Sequence, residues 1–234
     1  MLYCFDKNIY QDAHSKIFQF YNEKYKNRTT PLFEDGVICL DKYNGILFFL
    51  KEAYDKNCTE LSRSLTADLL SSEPWGMWHH VAEWAYGLTH TTTNGIPRFK
   101  NLTCQEKRDA IDSIAVINIK KLDGNPTSND DDITKHAEEN KTSLLREIEV
   151  VQPRIIVCGG TMKYLEKILG TKRNHKCDNW YYWFNIGNLK DILVLDYCHP
   201  AFRSYSLLYY YGIVNIYQQA LLSKDNPTNT QDLL

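Results

Sequence analysis

The chain is 234 residues long, 43% hydrophobic and 24% charged, with 27 Lys and Arg against 29 Asp and Glu for a formal charge of −2. That composition supports a substantial packed core and excludes collagen-like, low-complexity and wholly disordered chains. It also excludes a polycation, so a nucleic-acid partner would have to be attracted by a local basic face.

From the N-terminus, Met1 to Asp6 meets charge at once and has no basic region followed by an apolar run. This predicts no secretory signal and a cytoplasmic protein. No apolar window approaches the ~18 to 20 residues that a membrane helix needs, so no membrane partner is expected. Ile9, Ala13, Ile17, Phe18 and Tyr21 recur at helical spacing and predict an amphipathic helix over residues 8–25. Residues 45–50 then run apolar without alternation, as a strand buried on both faces does, and residues 114–117, 155–158 and 192–195 repeat the pattern. Between them, residues 131–151 read as one helix with an acidic start and Pro153 beyond its end. Residues 204–222 read as a closing helix with a Tyr-rich apolar face. The tail from Ser223 holds too little apolar surface to stay ordered. With no repeat or linker in sight, one domain over residues 1–222 and a flexible tail over 223–234 are predicted. Alternating strands and helices predict a three-layer α/β/α fold around a four-stranded, mostly parallel sheet.

The seven cysteines, Cys4, Cys39, Cys58, Cys104, Cys158, Cys177 and Cys198, are odd in number and form no CxxC pair. Reduced thiols follow, rather than a disulfide framework or a zinc ribbon. His14 and the His79-His80 pair have no metal-ligand partners at useful spacing and read as structural, so no metal site is expected.

In an open α/β sheet, ligands bind beyond the carboxyl ends of the strands. The residues following the four apolar runs are polar: Lys51-Glu52-Ala53-Tyr54-Asp55, then Asn118 with Lys120 and Lys121, then Gly159-Gly160-Thr161, then Asp196 through His199-Pro200-Ala201-Phe202-Arg203. Such a topology would bring two acids, an amide, a histidine and aromatics to one sheet edge. Gly159-Gly160-Thr161 reads as a strand-to-helix turn in preference to an anion cradle. Lys163, Lys167, Lys172, Arg173 and Lys176 form a basic stretch that either follows phosphates or is a solvated face.

These segments, in this order, resemble the uracil-DNA glycosylase superfamily over about three quarters of the chain, from Gly45 to Leu222. Lys51 to Asp55 stands where one branch reads GQDPYH and another GEAPG. Ile117-Asn118-Ile119 resembles the strand end whose Asn reads the base, and His199-Pro200-Ala201 resembles the second motif, His-Pro-Ser or His-Pro-Ala. The likeness is greatest to the GEAPG branch, but the cysteines that bind its iron-sulfur cluster are lacking: only Cys4 lies in the N-terminal region and Leu122 stands where another ligand would follow. No cluster and no other cofactor are expected. The resemblance implies a glycosylase-like fold and a monofunctional DNA glycosylase that flips a pyrimidine from DNA, hydrolyses its N-glycosidic bond and leaves an abasic site. No lysine is placed as a Schiff-base nucleophile.

Cleaving that bond builds negative charge on the base, chiefly at O2, where a neutral His199 held by the proline turn would donate. Asn118 can read the Watson–Crick edge. Trp78 stands where the family keeps its stacking aromatic, with Trp75 close behind and Tyr54 a further base contact. Phe202 would act as the wedge. Arg203, Lys120, Lys121, Lys172 and Arg173 would hold phosphate. Ala53 replaces the family's water-positioning aspartate, leaving that task to Glu52 or Asp55. Asp55 also replaces a tyrosine that walls off pyrimidine C5. As the resemblance implies, uracil is the default substrate; the unwalled position at Asp55 motivates the alternative, a C5-modified pyrimidine such as a modified cytosine of viral DNA. The one points to repair and the other to defence. A monomer is expected, and a non-catalytic nucleic-acid binder remains the reading from a different class.

Overall fold

A computed structural model describes residues 5–55, 60–172, 180–202 and 205–225. Helix α1 (Lys7–Lys24) begins where the Asp6 carboxylate accepts the backbone N–H groups of Asn8 and Ile9, satisfying donors that a helix start leaves open. The chain continues through β1 (Leu32–Glu34), β2 (Gly36–Val37), β3 (Ile46–Glu52), β4 (Ser62–Ser64), α2 (Leu65–Ser71) and α3 (Trp78–His90). After α4 (Cys104–Asp112) come β5 (Ile114–Lys120), α5 (Asp130–Glu139), α6 (Lys141–Val151) and β6 (Ile155–Gly159). The last elements are α7 (Met162–Leu169), β7 (Tyr181–Ile186), β8 (Leu189–Tyr197) and α8 (Ser206–Asp225).

The four apolar runs form adjacent parallel strands in the order β5-β3-β6-β8, and the sheet has six strands rather than four. The extra strands are antiparallel edges, β2 against β5 and β7 against β8. β2 spans only two residues, too few to show a period. β7 reads Tyr-Tyr-Trp-Phe-Asn-Ile, an aromatic run that lies only partly buried at the sheet edge, unlike the aliphatic runs of the central strands. A second, two-stranded parallel pair, β1 with β4, is joined to the end of β5 by the Phe33 N–H, which donates to the Lys121 carbonyl at 2.7 Å.

Strand periodicity divides the side chains between two layers. Leu47, Phe49, Ile117, Ile156 and Val194 pack with α1, α5, α6 and α7. Ile46, Phe48, Leu50, Val116, Val157 and Leu195 pack with α2, α3, α4 and α8. The predicted helix over 131–151 is two helices. Asn140 breaks it with φ −107° and ψ 8°; its buried side chain bonds the Lys24 amine at 2.6 Å and the Tyr25 hydroxyl at 3.0 Å. The closing helix runs to Asp225, three residues beyond Leu222 and into the segment expected to lack order. Residues 226–234 lie outside the described residues. Among the described residues no helix is long and apolar enough to cross a membrane.

Candidate active site

In chain order the four parallel strands lie second, first, third, fourth, so the direction of winding reverses between β3 and β6, the place where open α/β sheets leave a crevice. At the carboxyl edge is a cleft of about 410 Å³. Glu52 through Asp55 line it from the end of β3, Asn118 from β5, and His199 and Ala201 from the turn after β8. Trp75, Met77 and Trp78 line it from the approach to α3. The three side chains expected to do the chemistry, drawn from three strands, thus share one space.

His199 is held by its own turn. The Phe202 N–H donates to its carbonyl at 2.9 Å and the Ala201 N–H donates to Nδ1 at 3.2 Å. A nitrogen that accepts carries no proton, so in the neutral ring the proton sits on Nε2. Burial, with the Lys51 charge as a lesser cause, lowers the imidazole to about 4, which keeps it neutral in ordinary buffers. The turn packs tightly on the end of β6: a Cβ at Gly159 would lie 2.7 Å from Leu50 Cδ2 and 3.2 Å from Pro200 Cδ. Gly160 has φ +69° and donates its N–H to the Tyr197 carbonyl at 2.7 Å. The Thr161 hydroxyl donates to the Phe49 carbonyl at 2.6 Å. The diglycine is therefore a structural turn, as expected.

Glu52, at the last position of β3, has a side chain only 3% exposed. Its Oε2 lies 3.2 Å from Lys120 Nζ, which also reaches Asp132 at 2.7 Å. Oε1 is buried with no hydrogen-bond partner among the described residues. The loop after β5 presses on this carboxylate from above, because a Cβ at Gly124 would collide with Glu52 Cδ; the Gly124 N–H is tied to the Ala53 carbonyl at 2.8 Å. Asn118 is buried, with its backbone N–H donating to Asp35 Oδ2 at 2.7 Å. Its Nδ2 likewise lacks a partner among the described residues. Buried polar atoms are rarely left unpaired, so the cleft offers an acceptor and a donor to whatever it receives.

Asp55 is differently placed. Its carboxylate pairs with Arg63 Nη1, and Arg63 Nε reaches Asp68 at 2.6 Å. That ionic wall replaces the open side expected at this position, and it leaves Glu52 as the acid with an uncommitted oxygen. Trp78 is buried and packs with the helical layer, whereas Trp75 is 43% exposed at the cleft; their rings meet at 6.5 Å and 60°. Trp75 is thus the better-presented face. Tyr54 is exposed beside it. Phe33, Arg63 and Asp68 also line the cleft and were not singled out in the sequence. They arrive through the β1–β4 pair and α2, and no local motif marks them.

The expected phosphate contacts fare unevenly. Lys121 is a correction: it is fully buried between Asp35 at 2.7 Å and Glu147 at 2.6 Å, on the face covered by α1. One residue past a wholly buried strand, the alternation turns it inward, where two acids neutralise it. Lys120 is buried too and engaged with Glu52 and Asp132, so it is also unavailable to phosphate. Lys172 is exposed but does not line the cleft, and Phe202 is exposed with its ring edge-on to Tyr209. Arg173 and Arg203 lie outside the described residues. Among the described residues no group of three or more His, Cys, Asp and Glu side chains is placed to hold a metal ion. No protein-family model matches the chain, and no curated protein matches its sequence significantly.

Proposed function

We propose that the protein is a monofunctional DNA glycosylase of the uracil-DNA glycosylase type, acting as a cytoplasmic monomer on a pyrimidine extruded from DNA. One observation carries this reading: His199, whose neutral imidazole has its proton on Nε2, lines the same cleft as Glu52 and Asn118, and among the described residues Glu52 Oε1 and Asn118 Nδ2 are buried polar atoms without a hydrogen-bond partner. As the C1′–N1 bond breaks, its electrons pass to the base, and His199 Nε2–H stabilises the charge at O2. Glu52 Oε1 accepts a proton from the water whose oxygen bonds to C1′. The base leaves as its anion and takes up a proton from solvent, Glu52 returns its proton to solvent, and the products are the free base and an abasic site. Asn118 reads the edge of the base and Trp75 covers its face.

The test is release of free base from duplexes carrying uracil, with abasic sites detected by alkaline cleavage. His199→Ala should lower release by about 10²- to 10³-fold while leaving DNA affinity close to wild type. Glu52→Gln should lower it as well, because the amide cannot take the proton. Wild-type protein that binds DNA yet releases no base from any of a broad panel would establish a binder instead.

A second reading is favoured by the Asp55–Arg63–Asp68 wall. With a charged group in place of an aromatic ring on that side, and about 410 Å³ of space, the cleft suits a pyrimidine with a polar C5 substituent. Faster release of modified cytosine than of uracil from the same duplex would select that reading, and with it a role in defence over repair.

A further inference from the structure

His80 of α3 does not line the cleft, yet it touches the segment that follows His199 at two points. Nδ1 lies 2.7 Å from the Pro200 carbonyl oxygen and Nε2 lies 3.2 Å from the Ser206 hydroxyl. A carbonyl oxygen only accepts, so Nδ1 carries the proton, and in the neutral ring Nε2 takes the Ser206 O–H. One partner belongs to the turn that holds His199 and presents Phe202 at 60% exposure, and the other is the first residue of α8. Within the turn itself, hydrogen bonds join His199 to Ala201 and to Phe202. Helix α3 is firmly seated by Trp78, Val81, Trp84 and Ala85. His80 therefore joins a rigid support to the element that holds the imidazole of His199.

We infer that His80 is a positioning residue: by gripping the Pro200 carbonyl and the Ser206 hydroxyl, it fixes the depth of His199 in the cleft and ties the turn after β8 to the start of α8. The activity part of this inference rests on the glycosylase reading. The structural part does not. Burial is the main reason His199 stays neutral, so a turn that lifts away from α3 must expose the imidazole to water and return it toward its ordinary value of 6.5. The other ionisable groups concerned are Lys51, which acts on His199, and His79 and Glu83, which neighbour His80 on α3.

The experiment follows the imidazole of His199 by NMR titration in wild type, His80→Ala and His80→Asn, with base release measured under single-turnover conditions on the same samples. Asparagine places an N–H where imidazole Nδ1 stood and can still reach the Pro200 carbonyl. In His80→Ala, His199 should titrate well above the wild-type value of about 4, and kcat should fall roughly 10- to 100-fold, the scale of a small misplacement, with KM for DNA little changed. His80→Asn should restore both. An unchanged titration in His80→Ala overturns the inference whatever happens to excision, and so does an equal rise in the Asn variant, since packing alone would then be responsible. Should His80→Ala fail to fold, Ser206→Ala removes one of the two contacts and must raise the His199 titration in the same direction. Wild-type protein that releases no base refutes the glycosylase reading and leaves the titration test intact.

Discussion

A histidine asked to donate a hydrogen bond without carrying charge needs one ring nitrogen occupied by a donor and the ring kept from water. His199 meets the first requirement through the Ala201 N–H and the second through burial. Its pH behaviour follows. The neutral ring persists down to about 4, so base release should show no inflection from this group near pH 6.5 and should lose its competent form only toward about pH 4. The stability effect has a definite sign. The folded value lies below the unfolded one, so the unfolded chain binds the extra proton as pH falls from 6.5 to about 4. Stability is lost across that window and is untouched above it. A single-turnover pH profile checks the first expectation, and an acid limb centred near pH 6.5 that vanishes in His199→Ala would refute it. At this scale the sequence was informative at three strand ends, since Glu52 closes β3, Asn118 lies near the end of β5 and His199 follows β8, and all three line the cleft; it misled at Lys120 and Lys121, which the same strand end carries into buried ion pairs. It could not choose between Glu52 and Asp55, because the choice is made by Arg63, a partner delivered by a separate strand pair.

At the level of elements, the buried parallel strands were legible because a continuous apolar run too short for a helix suits little except a strand covered on both faces. The edges were not, since β2 is held by its ladder with β5 rather than by any pattern of its own. Nor was the break at Asn140, whose cause is a pair of bonds to α1 and the residue after it, more than a hundred residues away in sequence. Lys121 shows the same limit most sharply: as text it continues a basic strand end, and in space it closes a buried charge cluster with Asp35 and Glu147. That cluster is an element-scale device. Asp35 joins it to the backbone N–H of Asn118, so the charge pair also fixes the height of β5 at the cleft. One lysine serves two acids there, and burial pushes Glu147 above the usual carboxylate range. The folded protein then keeps a proton that the unfolded chain has already released, so stability should fall as pH rises above the ordinary Glu range. Glu147→Gln retains an acceptor for Lys121 and removes this slope. Urea unfolding midpoints at pH 5 and pH 8 should differ less in the variant than in wild type. A slope as steep as wild type would show that Glu147 is not the proton's holder. Asp35→Ala is the harsher change, because stranding a buried charge typically costs about 3 to 5 kcal/mol.

Across the whole molecule, the lysines described near the cleft are already committed. Lys51 and Lys163 share Asp130, at 2.9 and 2.6 Å. Lys120 serves Glu52 and Asp132, and Lys121 is enclosed. Under the proposed reading, with a formal charge of −2 over the chain, little attraction to DNA would come from phosphate neutralisation by these groups. On that reading, grip would come instead from enclosure of the base and from the exposed aromatic rings of Trp75 and Tyr54 that line the cleft. A protein with ~6 to 10 phosphate contacts loses about 10³- to 10⁵-fold in affinity between about 50 and 200 mM salt. Here the loss should fall well below that range, with a log–log slope no steeper than about −3, equivalent to roughly three phosphates. Equilibrium binding of a labelled duplex to the His199→Ala protein measures it without turnover. A slope near −6 or steeper would place the main contact on the basic stretch from Lys163 to Lys176, and substituting Lys167 and Lys172 together should then flatten it. The shallow slope, by contrast, should be insensitive to that substitution and sensitive to Trp75→Ala, because stacking on an extruded base releases few counterions.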